Sequence, residues 1–128
     1  MTAWLLSMEV ESDDPRCLDE PSHVEAIADG IASLLHFAVI GELRHEFEPQ
    51  GFSLMRFGNA ARVAIHTWPE AQAATIDIWL APSAAGRCRR DELGAWLAEA
   101  HGLRVLDLRD HVHALAHEVD APLAHAEI

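Results

Sequence analysis

The chain has 128 residues, nine arginines, no lysine and a formal net charge of −12. This length provides one domain with a single core, and the negative charge argues against a nucleic-acid partner. The absence of lysine excludes an internal Schiff base with pyridoxal phosphate and any lysine that acts as a base or nucleophile.

The first third of the chain is predicted to form two strands with a helix between them. Residues 4–11 (WLLSMEVE) and 37–43 (FAVIGEL) have the composition and spacing of strands. The helix is predicted to begin with Ser22 as its N-cap, because Glu25 three residues later completes a capping-box pattern. The apolar stripe that should face the sheet consists of Val24, Ile27, Ile31, Leu34 and Leu35.

The rest of the chain is predicted to contain four strands and a second helix. Pro69 separates two strands of period two, and because proline cannot continue a central strand, these two should be antiparallel neighbours. The second helix should end at Gly102, which is in the usual terminator position. The predicted elements are strands 52–58, 62–68 and 74–81, a helix at about 91–101, a strand at 103–108, and a short helix in the tail, 109–128.

This order of elements predicts an α+β fold of two layers, a mostly antiparallel sheet with helices on one face. Residues 1–108 would form the domain and residues 109–128 a C-terminal tail. Strands such as LLSMEV and ATIDIWL also carry apolar residues on the side away from the helices. A dimer in which two sheets pack face to face would bury that side.

Three motifs resemble those of the bacterial and archaeal S-adenosylmethionine decarboxylases, pyruvoyl enzymes that supply aminopropyl groups for spermidine. They are HEFEPQGFS (45–53), AIHTWPE (64–70) and AATIDIWLA (73–81). The family pattern is HxFxPxGxS, then ESHxxxHTWPE, then AAxDxFxCG, and the likeness extends from about residue 4 to residue 108. The resemblance implies the two-layer sandwich of that family.

The resemblance also locates the residues that the family's reaction requires. There, a serine attacks the carbonyl of the preceding glutamate, the chain is cleaved, and a pyruvoyl group remains as the cofactor. The Glu-Ser pair aligns with Ala60 and Ala61, the next histidine with Arg62, and the proton-donating cysteine with Ala81. Because a methyl group cannot attack a carbonyl, we expect an uncleaved chain without a pyruvoyl group or any other cofactor.

Other family positions are retained. Ser53 and His66 align with the pair that assists cleavage; with no serine to cleave at, a hydrogen-bonded pair that supports the strands is the favoured interpretation. Phe47, Trp68 and Glu70 align with positions near the substrate, where an aromatic face stacks on adenine.

The first strand is less conclusive about a ligand. Glu9 and Glu11 could bind the cationic end of a ligand or could be ordinary solvated acids. Val10 replaces the aromatic residue that the family usually carries beside its acidic residue, which weakens the expected adenine sandwich.

Two hypotheses about function follow. The first is a non-catalytic homologue that binds S-adenosylmethionine or a related nucleoside or polyamine, or that acts as a regulatory subunit, as a homodimer or a heterodimer with an active paralogue. The alternative is an enzyme with repurposed chemistry on a similar ligand in polyamine or specialised metabolism, with His66, Glu70 or Arg62 as acid or base.

Metal binding and membrane association are not expected. Among His111, His113 and His117, residues 113 and 117 would be one helical turn apart and could chelate a metal, but a polar face of a tail helix is the favoured interpretation. The two cysteines, Cys17 and Cys88, lack metal-site spacing, and no segment resembles a membrane span or a signal peptide. We therefore expect a cytoplasmic protein.

Overall fold

Six strands form one sheet in the computed structural model, which describes residues 2–114. Every neighbouring pair of these strands is antiparallel, and their spatial order is β2-β3-β4-β5-β1-β6. The strands are β1 (Thr2–Ser12), β2 (Gly41–Glu46), β3 (Phe52–Phe57), β4 (Ala61–Trp68), β5 (Ala73–Leu80) and β6 (Leu103–Ala114). The helices are α1 (Pro15–Asp19), α2 (Pro21–Leu34) and α3 (Arg90–His101). This arrangement confirms the predicted α+β fold.

Strand alternation divides the sheet into two different faces. In β4, the side chains of Ala61, Val63, Ile65 and Thr67 are buried, whereas the intervening residues are exposed or half-buried. Strand β5 repeats this pattern with Ala74, Ile76, Ile78 and Leu80. These residues share one core with Val24, Ile27 and Ile31 of α2 and with Leu93 and Leu97 of α3. Each fully buried aliphatic side chain contributes about 1.5–3 kcal/mol, so this face determines the stability of the fold.

The opposite side of the sheet, called the open face below, is not sealed by such a core. Several of its large apolar side chains are exposed, from Phe57 at 36% to Leu43 at 68%. The strand register gives the open face the side chains of Leu43, Met55, Phe57, Arg62, Ala64, His66, Trp68, Thr75, Asp77 and Trp79.

Helix α2 begins differently from the prediction. Glu20 is its N-cap and Pro21 is in the first turn, so the predicted capping box with Ser22 as N-cap is wrong. The reason is that proline lacks an N–H and has a helical φ, which suits the first helical position. The predicted stripe is confirmed at Val24, Ile27 and Ile31, which are buried. None of the helices within residues 2–114 is long and apolar enough to cross a membrane.

The second strand lies later in the chain than predicted. Residues 37–40 are not part of it, because His36 has a positive φ of 55° and the Phe37 N–H donates to the Ala32 carbonyl. These contacts extend the end of α2 through a turn and delay the strand until Gly41. The pattern FAVIGEL therefore overlaps β2 over only its last three residues.

The helix predicted in the tail is also wrong where the structure describes the tail. Strand β6 continues from Leu103 to Ala114 and pairs with the whole of β1. Its register shifts between Glu9 and Val10 of β1, so a bulge interrupts the ladder. Residues 115–128, including His117, lie outside the described residues.

Candidate functional site

A cavity of about 320 Å³ lies on the open face at the end of β4. Ligand pockets range from roughly 300 to 1,000 Å³, so this cavity is at the small end. Phe47 and Trp68 contribute large apolar surfaces that are 49% and 45% exposed. The lining residues are Phe47, Gln50, Gly51, Ser53, His66, Thr67, Trp68 and Glu70.

Two polar side chains of the cavity are held by the pairing of β3 with β4. Ser53 and His66 are directly opposite each other in the register. Ser53 Oγ and His66 Nδ1 lie 2.6 Å apart, which is a short hydrogen bond. The His66 ring is 6.3 Å from the Trp68 ring between centroids. The hydrogen-bonded pair of Ser53 and His66 thus lies beside the aromatic side chain of Trp68.

The loop that carries Phe47 is fixed against β4. The Phe47 N–H donates to the Gly51 carbonyl at 2.9 Å, which closes the loop before β3. Gly51 has φ of 106°, and a Cβ added there would be 3.2 Å from the Thr67 carbonyl oxygen. Because side chains rarely adopt this conformation, glycine is needed for the approach. The glycine of the FxPxG motif therefore lets the loop that carries Phe47 approach β4 closely.

Glu70 follows Trp68 in a single 3₁₀ turn, Pro69–Ala71. The Gln50 side chain donates from Nε2 to Glu70 Oε2 at 3.0 Å, and this bond closes one side of the cavity. The carboxylate retains acceptor capacity for ligand hydroxyls or amines. The sequence did not indicate Gln50, because this residue occupies a variable position of the motif. It did not indicate Thr67 either, because the side chain of Thr67 forms hydrogen bonds with the backbone of Phe52.

The three alanines that align with the family's Glu-Ser pair and cysteine meet at the other end of β4. The Ala81 N–H donates to the Ala60 carbonyl at 2.8 Å, and Ala61 is paired with Leu80. Ala61 is 1% exposed and belongs to the core on the helix side. Neither residue 60 nor residue 61 has a hydroxyl, so this end of the strand does not fit a pyruvoyl precursor.

Ser53 and His66 are not brought to these alanines within one chain. His66 is five residues from Ala61 along β4, which corresponds to about 16 Å at the rise of a strand. Their side chains also lie on opposite faces of the sheet. Within one chain, the hydrogen-bonded pair belongs to the cavity rather than to the alanine end.

Glu9 and Glu11 are not among the residues that line the cavity. Glu9 is exposed on β1, whereas Glu11 accepts a hydrogen bond from Arg104 at 2.6 Å. Arg104 also binds Asp13 and holds the pKa of that carboxyl below its usual value. Glu11 is thus engaged in an ion-pair network at the start of β6. Among residues 2–114, no group of three or more histidine, cysteine or acidic residues is placed to hold a metal ion.

Arg62 is a cation of the open face. Its guanidinium carbon lies 4.4 Å from the centre of the Trp79 ring, a cation–π contact with the neighbouring strand. No carboxylate forms an ion pair with Arg62 in the part of the chain that the structure describes. The arginine is therefore oriented by an aromatic ring and keeps its hydrogen-bond donors.

Comparison with known proteins identifies relatives of one kind. The model of the S-adenosylmethionine decarboxylase family matches residues 4–104. The chain is 29% identical to the S-adenosylmethionine decarboxylase proenzyme of Parasynechococcus marenigrum, over 91% of each chain. It is 34% identical to the proenzyme of Prochlorococcus marinus over 64% of this chain and 66% of that one. The crystal structure of the Aquifex aeolicus adenosylmethionine decarboxylase has a TM-score of 0.66 at 20% identity, covering 92% of this chain and 94% of that chain, which shows a shared fold.

Proposed function

The chain belongs to the S-adenosylmethionine decarboxylase family, and we propose that it is a non-catalytic member that binds S-adenosylmethionine or a related nucleoside. The observation that carries the proposal is the contrast between the two ends of β4. The end with Phe47, Trp68 and Glu70 keeps a cavity with aromatic and acidic walls. The other end has alanine at the positions of the glutamate, the serine and the cysteine.

The chemistry of the cavity suits a nucleoside. The faces of Phe47 and Trp68 can stack on a purine, and an aromatic face also attracts a positively charged sulfur. Glu70 offers carboxylate oxygens to ribose hydroxyls or to an exocyclic amine. The polar pair of Ser53 and His66 can bind a further polar atom of the ligand. A volume of about 320 Å³ suits the nucleoside portion of such a ligand.

The alanine end supports the absence of the family's reaction. Formation of a pyruvoyl group requires a hydroxyl nucleophile next to the cleaved peptide bond, and Ala61 offers only a methyl group. The loss of Glu and Cys equivalents at Ala60 and Ala81 supports the same conclusion. The protein would remain one uncleaved chain without a cofactor.

Intact mass and ligand-dependent melting test these two parts separately. Under denaturing conditions, we expect a single species near 14.1 kDa; two fragments that divide near residue 60 would overturn the proposed loss of cleavage. We expect S-adenosylmethionine or methylthioadenosine to raise the melting temperature, because a ligand that binds only the folded state stabilises it. No shift with any nucleoside would overturn ligand binding, and turnover of the ligand would indicate the repurposed enzyme instead.

A substitution can connect binding to the cavity. Trp68→Ala should weaken nucleoside binding by about tenfold, because base–aromatic stacking contributes roughly 1–3 kcal/mol. Trp68 is 45% exposed, so its removal should leave the chain folded. Ile40→Ala is a matched control, since Ile40 is also exposed but bonds to Phe57 at the far end of β3. Equal binding by both variants would contradict this location of the site.

The open face supports a second part of the proposal, association with another copy or with an active paralogue. Its exposed apolar side chains form a surface that association would bury. Because a two-fold interface is self-complementary, Met55→Glu would place charge on both sides of a homodimer and should reduce the native mass from twice 14.1 kDa to one chain.

Val39→Glu is the control for this substitution, since Val39 is similarly exposed, at 41% against 39%, but lies before β2. A wild-type monomer that also fails to bind a purified active paralogue would overturn the association.

A further inference from the structure

Arg62 differs in its contacts from most arginines of the chain. Arg16, Arg44, Arg56, Arg90, Arg104 and Arg109 each have a carboxylate within ion-pair distance. Arg62 instead lies over the ring of Trp79 and extends from an exposed position of β4. Asp77, the acid on the adjacent strand next to this contact, accepts a hydrogen bond from Ser7 at 2.5 Å. A guanidinium held over an aromatic ring, with its donors free of carboxylates, is suited to bind a planar anion in a bidentate manner.

The position of Arg62 relates it to the nucleoside cavity. Both lie on the open face, and Arg62, Ala64, His66 and Trp68 follow one another along the same strand. At the rise of a strand, the Cα atoms of Arg62 and His66 are about 13 Å apart and those of Arg62 and Trp68 about 20 Å apart. Between them, Ala64 presents only a methyl group, so nothing bulky on β4 blocks the way from the cavity to the arginine.

The cavity of about 320 Å³ is at the small end for a ligand pocket and suits the base and ribose of such a ligand. With the base and ribose there, the amino-acid end would extend onto the open face, at the surface that the proposed association would bury. Arg62 lies over the ring of Trp79 on the neighbouring strand, and an amino-acid chain that leaves the cavity over Ala64 runs toward it. We propose that Arg62 binds the α-carboxylate of the ligand, so that the site selects S-adenosyl amino acids that retain this carboxylate over the decarboxylated compound.

This inference rests on the proposed nucleoside binding and makes it more specific. Binding should be measured by isothermal titration of the purified full-length chain with S-adenosylmethionine and with decarboxylated S-adenosylmethionine, which differ only by the carboxylate. Methylthioadenosine, which lacks the whole amino-acid end, reports on the cavity alone. We expect the wild-type chain to bind S-adenosylmethionine about tenfold or more tightly than the decarboxylated compound, as for a hydrogen-bonded charge pair.

Arg62→Gln should reduce this preference to near one and leave the affinity for methylthioadenosine unchanged. Arg62→Lys, which keeps the charge but not the planar fork, should retain part of the preference. Arg109→Gln is the matched control and should behave like the wild type, because Arg109 is paired with Asp107 at 3.0 Å on the same sheet.

The outcomes separate the two claims. If methylthioadenosine binds but the two S-adenosyl ligands bind equally, the role of Arg62 is wrong and the nucleoside site stands. If the preference survives in Arg62→Gln, another group binds the carboxylate and the inference is again wrong. If no nucleoside binds the wild-type chain, the proposed function fails and the role of Arg62 fails with it.

Discussion

A serine placed at position 61 tests the orientation of that residue. In the structure, Ala61 is 1% exposed and packs in the core on the helix side of β4. A hydroxyl placed there by Ala61→Ser would point away from Ser53 and His66, which lie on the other face and about 16 Å along the strand. We therefore expect Ala61→Ser to remain uncleaved, because neither residue of its own chain can polarise the Ala60 carbonyl or remove a proton.

The same substitution should have a measurable cost in stability. Burial of a hydroxyl without a partner costs about 1–3 kcal/mol in mutational data, and Ala61 lies in the hydrophobic core. Ala64→Ser is the control on the same strand, since its side chain lies on the half-exposed open face and can be solvated. Its effect should remain within about 0.5 kcal/mol, as for other surface substitutions.

Two measurements decide the outcome. Urea denaturation should show a lower midpoint for Ala61→Ser than for Ala64→Ser, with equal slopes. Denaturing mass spectrometry should show one chain for both variants. Two fragments from Ala61→Ser would refute the argument from side-chain orientation, and they would imply that cleavage is assisted by a second copy. Equal stability of the two variants would refute the placement of residue 61 in the core.

Two further predictions concern the helical layer. Gly30→Ala should destabilise the protein by about 1–3 kcal/mol, because the added Cβ would lie 2.0 Å from the Trp96 ring. Gly94→Ala, whose Cβ would meet nothing within 4 Å, should stabilise the protein by about 0.5–1 kcal/mol. Urea midpoints that shift in the same direction for both variants would contradict this prediction. Burial lowers the pKa of His101 below its ordinary 6.5, so the unfolded chain takes up the proton first and stability is lost as the pH falls through 6.5. His101→Gln should reduce the loss of stability between pH 7.5 and pH 5, and an unchanged difference would show that this burial does not act on folding.

The sequence predicted best those elements whose periodic apolar residues pack into the common core. The two strands on either side of Pro69 and the helix before Gly102 were predicted with bounds within one residue of those observed. Their apolar periodicity reflects a core that the structure confirms. The errors lie where one local sequence signal competes with another. Ser22 has the right spacing for a cap, yet Pro21 already occupies the first turn of the helix.

The candidate site was predictable only in part. The motif letters identify Phe47, Trp68 and Glu70, and the structure brings these three to one cavity. The spacing of the motif does not reveal that Glu11 is bound to Arg104, because that partner is 93 residues away. It also does not reveal that Ser53 and His66 are remote from Ala61, since this depends on the strand register and on which face each residue occupies.

The cavity and the alanine end of β4 are supported by separate sets of contacts. The cavity depends on contacts around the turn after Trp68, including the Gln50–Glu70 hydrogen bond and the close approach of Gly51 to Thr67. None of these contacts involves Ala60, Ala61 or Ala81, and the core accepts a methyl group at residue 61 without an unpaired polar atom. The absence of a hydroxyl at residue 61 therefore removes no support from the cavity. By the same reasoning, an arginine at position 62 can add a ligand contact on the open face without disturbing the core behind it.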